Sequence, residues 1–252
     1  MSKIIAVLNQ KGGVGKTTTT INMGAYLAKR GHSVLIVDLD PQGNATSGIG
    51  VDKQALDSTM YDVLFGTVTA EQIIKDTSSP HLHIVPSNAQ LAAAEVDLAG
   101  EQQREYRLKN AVSHLEYDYV LIDCPPSLGL LSINALTAAN SVLIPVQAEY
   151  YALEGLGQLL EIIQRVRQGL NPTLDLLGIV VTMYDGRTSL SDQVVQELKK
   201  HFGDKLFETI IPRNVRLAEA PSFGKSILEH DKWSKGARSY KNLAKEVESR
   251  AK

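Results

Sequence analysis

The sequence "NQKGGVGKTTTT" (residues 9–20) decides the fold of this chain. It follows a short β-branched run, "KIIAVLN" (3–9), and it opens a stretch of helical character (16–30) that ends before a glycine. A glycine-rich loop between a strand and a helix directs backbone N–H groups and the positive end of the helix towards phosphate oxygens. The sequence therefore predicts a phosphate-binding site at the end of the first strand.

The loop departs from the ordinary G-x-x-x-x-G-K-[ST] pattern at one position. Gly15, Lys16 and Thr17 match the end of the pattern, but Gln10 replaces the first glycine and a second lysine, Lys11, follows it. Lys16 is expected to contact the β- and γ-phosphates, and the Thr17 hydroxyl to ligate Mg²⁺. The residues predicted to hold the nucleotide in this loop are Lys11, Gly12, Gly13, Val14, Gly15, Lys16, Thr17 and Thr18.

Carboxylates stand at the ends of two further predicted strands. "YVLIDCPP" ends its apolar run at Asp123, and "VDLDPQGN" contains Asp38 and Asp40. Because ligands bind outside the carboxyl ends of the strands in an open α/β sheet, these residues can converge on one phosphate group. We predict that Asp123 and Asp38 support the metal with Thr17, and that Asp40 orients or deprotonates the attacking water. A solvated turn is the alternative interpretation of Asp38 and Asp40.

Short β-branched runs alternate with helical patterns along the whole chain. The stretches 154–169 and 191–203 are amphipathic, and Thr69-x-x-Gln72 has the spacing of a capping box. The predicted strands are 3–9, 33–38, 82–86, 117–123, 141–146 and 176–183. We expect an α/β fold: a single doubly wound, mostly parallel sheet flanked by helices, the P-loop NTPase fold, in one domain over residues 1–252.

Composition excludes several classes of protein. Of the 252 residues, 43% are hydrophobic and 21% charged, as in globular proteins that bury a large core. The apolar runs are far shorter than the ~20 residues of a membrane span, and no signal peptide fits the N-terminus, so we expect a cytoplasmic protein. The only cysteine, Cys124, is expected to be a small buried apolar residue.

Charge is distributed unevenly along the chain. Residues 1–198 contain 13 lysines and arginines against 21 acidic residues, a net charge of −8, whereas residues 199–252 contain 13 against 7, a net charge of +6. A basic C-terminal quarter indicates either a local anionic partner or a solvated helical face.

The longer motifs resemble a known family. "KGGVGKTT", "DLDPQGNAT" and "LIDCPPSLGLLSINAL" are similar to the deviant Walker-A ATPases, and "PVQAEYYALEGL" and "IPRNVRLAEAPSFGKSI" resemble the ParA-type partition ATPases, in particular their short Soj-like chromosomal branch. The resemblance implies an ATP- and Mg²⁺-dependent hydrolase. It also implies that Lys11 reaches the phosphates of the other subunit in a homodimer that sandwiches ATP. The residues alone do not distinguish this role from a contact of Lys11 with the phosphates of its own subunit.

The resemblance implies partners as well. ATP-bound dimers of such proteins bind double-stranded DNA without sequence preference on the nucleoid, and a ParB-like partner stimulates hydrolysis. By similarity, Pro212 and Asn214 are expected next to the adenine. The candidate DNA-binding residues are Arg187 and Arg216, with Lys225, Lys235 and Arg238 as weaker candidates that also fit ordinary surface charges.

Three alternative functions differ in what they require of the sequence. A membrane-recruited cell-division regulator of the MinD type shares the ATP site, but the C-terminal stripe Tyr240, Leu243, Ala244 and Val247 suits packing on the protein body better than lipid. An iron–sulfur reductase needs more cysteine ligands than one per chain. A nucleotide switch that hardly hydrolyses ATP stays open on the residues alone.

Overall fold

A computed structural model describes residues 2–149 and 152–251. Tyr150 and Tyr151, within the motif "PVQAEYYALEGL", lie outside the described residues. The described part is built on one seven-stranded sheet with the strand order β3-β4-β2-β5-β1-β6-β7. The strands are β1 (Lys3–Val7), β2 (Val34–Asp38), β3 (Lys75–Asp76), β4 (Leu82–Val85), β5 (Tyr119–Asp123), β6 (Ser141–Gln147) and β7 (Asp175–Thr182).

The expected mostly parallel sheet is confirmed. All six predicted strands are present and run parallel to one another. The seventh, β3, pairs antiparallel with β4 at the edge of the sheet and was not predicted. It is two residues long and exposed, so it carries neither an apolar run nor an alternation that could mark it in the sequence.

Twelve α-helices connect and cover the strands in the described residues. Three of the longest, at residues 16–29, 152–169 and 189–202, match the predicted helical stretches within two residues at each end. The helices are α1 (Lys16–Lys29), α2 (Asn44–Gly48), α3 (Met60–Phe65), α4 (Ala70–Ile73), α5 (Ala94–Asp97), α6 (Arg107–Val112), α7 (Leu130–Ala138), α8 (Ala152–Gly169), α9 (Ser189–Phe202), α10 (Val215–Glu219), α11 (Ile227–His230) and α12 (Lys235–Arg250).

Alternate residues of the central strands supply two cores, one on each face of the sheet. In β1, Ile4 and Ala6 lie in the core covered by α7 and α8, whereas Ile5 and Val7 lie in the core covered by α1 and α12. Because side chains alternate along a strand and both faces are covered, the whole run must be apolar. The fold is therefore a three-layer α/β/α arrangement.

The C-terminal helix packs on the helix that follows the glycine-rich loop. Tyr240, Leu243, Ala244 and Val247 are buried in the same core as α1. The Tyr240 hydroxyl is 3.1 Å from the Thr19 hydroxyl of α1. The expectation that this stripe packs on the body is confirmed, and it ties the basic α12 to the first helix.

Candidate functional site

The glycine-rich loop leaves the end of β1 and opens α1. Gly13 and Gly15 have φ angles of 76° and 86°, a left-handed conformation that β-carbon-bearing residues rarely adopt. Two side chains hold the loop in place. Asn9 Oδ1 accepts from the Lys11 N–H (3.0 Å), and Thr182 Oγ1 donates to the Val14 carbonyl (2.8 Å). These two hydrogen bonds fix the shape of the loop, and the amino terminus of the 14-residue α1 faces its concave side.

The two lysines of the loop have different surroundings. Lys16 is buried, and its Nζ lies 3.3 Å from the Lys11 carbonyl. Burial lowers the pKa of Lys16, and the nearby Asp123 carboxylate opposes that shift. The Lys11 side chain is 45% exposed and forms an ion pair with Glu149, with 2.6 Å between Nζ and Oε2. Only Lys16 therefore lies inside the loop of its own subunit.

Asp123 is held by hydroxyl groups of α1. Thr17 Oγ1 donates to one carboxylate oxygen (2.7 Å) and Thr20 Oγ1 to the other (3.1 Å). Burial and the neighbouring Asp38 raise the pKa of Asp123 to about 8. Asp38 is its register partner on the adjacent strand, which is why two carboxylates share one buried site.

Asp38 and Asp40 lie in the turn after β2. Asp38 accepts from the N–H (2.8 Å) and the hydroxyl (2.6 Å) of Thr46, and burial raises its pKa to about 6 against those hydrogen bonds. Asp40 is buried, and its Oδ1 accepts from the Gln42 N–H (2.9 Å). Asp38 and Asp40 are both buried, so the alternative interpretation as a solvated turn is wrong for each of them.

A cavity of about 190 Å³ adjoins the loop on its other side. Gly15 and Thr18 form one wall, and Pro212 and Asn214 lie on the segment opposite. Asn214 Oδ1 is buried without a hydrogen-bond partner among the described residues. A buried acceptor left unsatisfied costs about 1–3 kcal/mol, and the amino group of adenine would relieve this cost once the Asn214 amide turns towards the cavity.

The site fits Mg²⁺ that arrives with a nucleotide. The described residues contain no group of three His, Cys, Asp or Glu side chains placed to hold a metal. Mg²⁺ prefers one or two carboxylates, water and substrate phosphates to an all-protein cage. Thr17, Asp38 and Asp123 supply oxygens at the loop, and phosphate oxygens would complete the set.

The five candidate DNA-binding residues are all exposed. Arg187 lies on the loop after β7 and forms a two-pronged ion pair with Asp185 (2.8 and 2.6 Å), and Arg216 pairs with Glu219 (2.9 Å). The Arg187 loop borders the segment that carries Arg216, since the Arg213 N–H donates to the Tyr184 carbonyl (2.9 Å). Lys225, Lys235 and Arg238 follow on the C-terminal helical segment.

Sequence reasoning missed the side chains that position the site: Asn9, Thr20, Thr46, Glu149 and Thr182. Thr20 carried a weak signal, because it lies three residues after Thr17 and so on the same side of α1. Asn9 makes a local contact with the N–H two residues further on, as Asn often does in turns. Thr46, Glu149 and Thr182 reach the site through tertiary structure, and no motif marks them.

Comparison with known proteins places the chain in a family. Residues 2–176 match a family model described as an AAA domain. The sporulation initiation inhibitor protein Soj of Bacillus subtilis is 55% identical over 249 residues, covering 98% of each chain. The chromosome partitioning protein ParA of Caulobacter vibrioides is 49% identical over 252 residues, covering 98% of this chain and 94% of the relative.

Solved structures share the fold. A Mycobacterium smegmatis protein named cobyrinic acid a,c-diamide synthase, with bound ADP and magnesium, is 40% identical with a TM-score of 0.87, over 97% of this chain and 93% of that one. The cell-division ATPase MinD of Pyrococcus furiosus is more distant, at 26% identity and a TM-score of 0.82 over 99% of each chain. No helix among the described residues has the length and apolar character of a membrane span. The chain belongs to the ParA-type chromosome-partitioning ATPases, as its relatives named Soj and ParA show.

Proposed function

We propose that this partition ATPase forms an ATP-sandwiched homodimer that binds double-stranded DNA without sequence preference. ATP hydrolysis with Mg²⁺ is the chemistry of its family, and solved relatives bind ADP or an ATP analogue with magnesium. Hydrolysis, stimulated by a ParB-like partner, returns the protein to a monomer that leaves DNA. In the cell it is cytoplasmic and associated with the nucleoid.

The contrast between the two lysines carries this proposal. Lys16 lies inside its own loop, whereas Lys11 extends to the surface and is neutralised there by Glu149. A lysine of this kind can reach phosphates of a second subunit across an interface, as an arginine finger does in trans. Leaving Glu149 costs little, because half-exposed ion pairs contribute about 0–1 kcal/mol.

The residues of the loop would stabilise the charge that develops on the phosphates. Backbone N–H groups from Gly12 to Thr17 and the Lys16 ammonium donate to phosphate oxygens. Mg²⁺, when bound, would supply positive charge that offsets the negative charge of the phosphates. Thr17 and Asp123 would hold the metal, the latter through water.

The attacking water would be positioned by Asp40, which lies beside Asp38 and Asp123 at the strand ends. A buried carboxylate at this place can orient a water molecule and accept its proton as the oxygen attacks the γ-phosphorus in line with the leaving oxygen. Asn214 and Pro212 would receive the adenine in the adjoining cavity.

Mass measurement in solution tests the dimer. Size-exclusion chromatography with light scattering is run on the protein alone, with ADP, and with ATP and Mg²⁺ under conditions of slow hydrolysis. We expect a dimer only with ATP. Lys11→Ala should bind ATP and stay monomeric, whereas Lys16→Ala should lose tight nucleotide binding as well, because only Lys16 contacts phosphates in its own subunit.

Two outcomes would contradict the proposal. If the wild-type protein remains a monomer when it is saturated with ATP and Mg²⁺, the proposed dimer is wrong. Equal losses of nucleotide affinity in Lys11→Ala and Lys16→Ala would place both lysines on the phosphates of their own subunit.

A further inference from the structure

Large exposed apolar side chains are concentrated in the basic C-terminal region. Five are found among the described residues, and three of them fall between residues 215 and 233. These three are Val215 (71% exposed), Phe223 (63%) and Trp233 (80%). Single exposed apolar residues are ordinary, but an exposed cluster with aromatic members marks an interaction surface.

The aromatic side chains are connected to basic ones by direct contacts. The Phe223 ring stacks on His230, with 5.0 Å between centroids, and His230 Nε2 is 3.6 Å from Glu219. Glu219 also accepts from Arg216 at 2.9 Å. Phe223 and Arg216 therefore lie on one continuous surface.

The same arginine continues the surface to the tryptophan. Arg216 Nε is 3.7 Å from Asp231, whose Oδ1 accepts from the backbone N–H of Trp233 at 3.1 Å. Lys232 Nζ lies 5.3 Å from the centre of the Trp233 ring, within the range of cation–π attraction. We call the set of Arg216, Phe223, Lys232 and Trp233 the aromatic–basic surface.

Charge around this surface selects an anionic partner. Residues 213–238 contain six lysines and arginines against three acidic residues. Glu219 and Asp231 are already paired with Arg216, and Glu229 accepts from Ser78 and Ser226. Six basic against three acidic residues leave this segment with a net charge of +3, which favours contact with a polyanion.

We propose that Trp233, with Phe223, is an apolar contact of this surface with double-stranded DNA, packed against sugar and base edges between phosphates bound by Arg216 and Lys232. The inference rests on the proposed DNA binding and adds a contact of a different physical kind. Phosphate contacts release counterions and weaken steeply with salt, whereas an apolar contact does not depend on salt in this way. The two kinds of residue therefore predict different salt dependence.

Intrinsic fluorescence provides the first test, because Trp233 is the only tryptophan of the chain. A 30-base-pair duplex is titrated into the wild-type protein with ATP and Mg²⁺, and fluorescence anisotropy of labelled duplex follows binding in parallel. We expect the tryptophan emission to change in step with binding. Emission that stays constant while the duplex binds would overturn the inference and leave the proposed DNA binding intact. Absence of duplex binding in any nucleotide state would overturn both.

Salt titration of variants provides the second test. Trp233→Ala should weaken duplex binding by about three- to tenfold at every salt concentration and leave the slope of log K against log salt unchanged. Lys232→Ala should reduce that slope by about one. Trp233→Phe should recover part of the affinity, and Val96→Ala, another exposed apolar side chain on α5, should behave as wild type.

Trp233→Lys best distinguishes an apolar contact of Trp233 with DNA from binding by charge alone, since it removes the ring and adds a positive charge. Tighter duplex binding by this variant, or unchanged affinity of Trp233→Ala, would mean that charge alone holds DNA and would overturn the inference. Light scattering of Trp233→Ala with ATP is the remaining check. Loss of the dimer in that variant would assign the surface to subunit association and also overturn the inference.

Discussion

Replacing Asp123 by asparagine should stabilise the nucleotide-free protein while it removes hydrolysis. Burial and Asp38 raise the pKa of Asp123 to about 8, against an ordinary value of 3.8. The folded state therefore keeps a proton that the unfolded state has released between these two pKa values. In this window stability falls as the pH rises, because the unfolded chain binds fewer protons.

The magnitude follows from the size of the shift. Each pKa unit corresponds to about 1.36 kcal/mol, so at pH 7 the carboxyl group costs the folded state at most roughly 4 kcal/mol. Asparagine recovers only part of this, because its amide is also a buried polar group facing Thr17 and Thr20. We expect Asp123→Asn to gain about 2 kcal/mol at pH 7, which is roughly 4–8 °C in Tm for a chain of this size.

Thermal unfolding between pH 6 and 9, with a chelator and without nucleotide, measures the effect. The advantage of the variant should grow with pH and level off above pH 8. Asp185→Asn is the matched control, since Arg187 lowers the pKa of Asp185 to about 2 and its titration lies far below this range. With ATP and Mg²⁺ the wild type should gain more stability than Asp123→Asn, because ligand binding stabilises the folded state by mass action. A variant less stable than wild type throughout, or an advantage independent of pH, would refute the reasoning.

Three further changes test separate parts of the molecule. Asp40→Ala should slow phosphate release by at least about 100-fold and hold the ATP-bound protein on DNA, since no group would orient the water; normal turnover would remove Asp40 from the site. Arg216→Glu should abolish DNA retention, measured across a salt series, and leave ATP binding intact, whereas Lys199→Glu, on α9 and away from the aromatic–basic surface, should bind DNA as the wild type does. Equal DNA affinity of the two variants would exclude a role of Arg216 in DNA binding. Leu243→Ala should lower the free energy of unfolding in denaturant by about 2–4 kcal/mol, with Lys245→Ala as the exposed control on α12; a loss as small as the control's would contradict the packing of α12 on α1.

Several features of the fold could be predicted because their signals are local. Buried parallel strands are apolar on both faces, so β1, β2, β5 and β6 stand out as continuous β-branched runs. The strand β3 and the short helices between residues 89 and 112 carry no such signal. Their positions depend on what they pack against rather than on their own residue pattern.

The candidate site was predictable where a residue type must occupy one place in a motif. Gly15, Lys16 and Thr17 follow from the spacing of the loop, and Asp123 follows from its place at the end of a buried strand. The partners of these residues were not predictable. Glu149 is 138 positions from Lys11, so only the folded chain shows that this lysine is held at the surface.

The sequence by itself determined a parallel α/β sheet, a phosphate loop after β1 and the family to which both belong, because strand periodicity and loop spacing depend on neighbouring residues. Tertiary structure alone decided that two carboxylates share one buried site and that Phe223, Arg216 and Trp233 form one surface. Asp38 and Asp123 meet because distant strands pair, whereas Phe223, Arg216 and Trp233 meet through turns between short helices. The burial and charge of both groups depend on every neighbour that packing brings close.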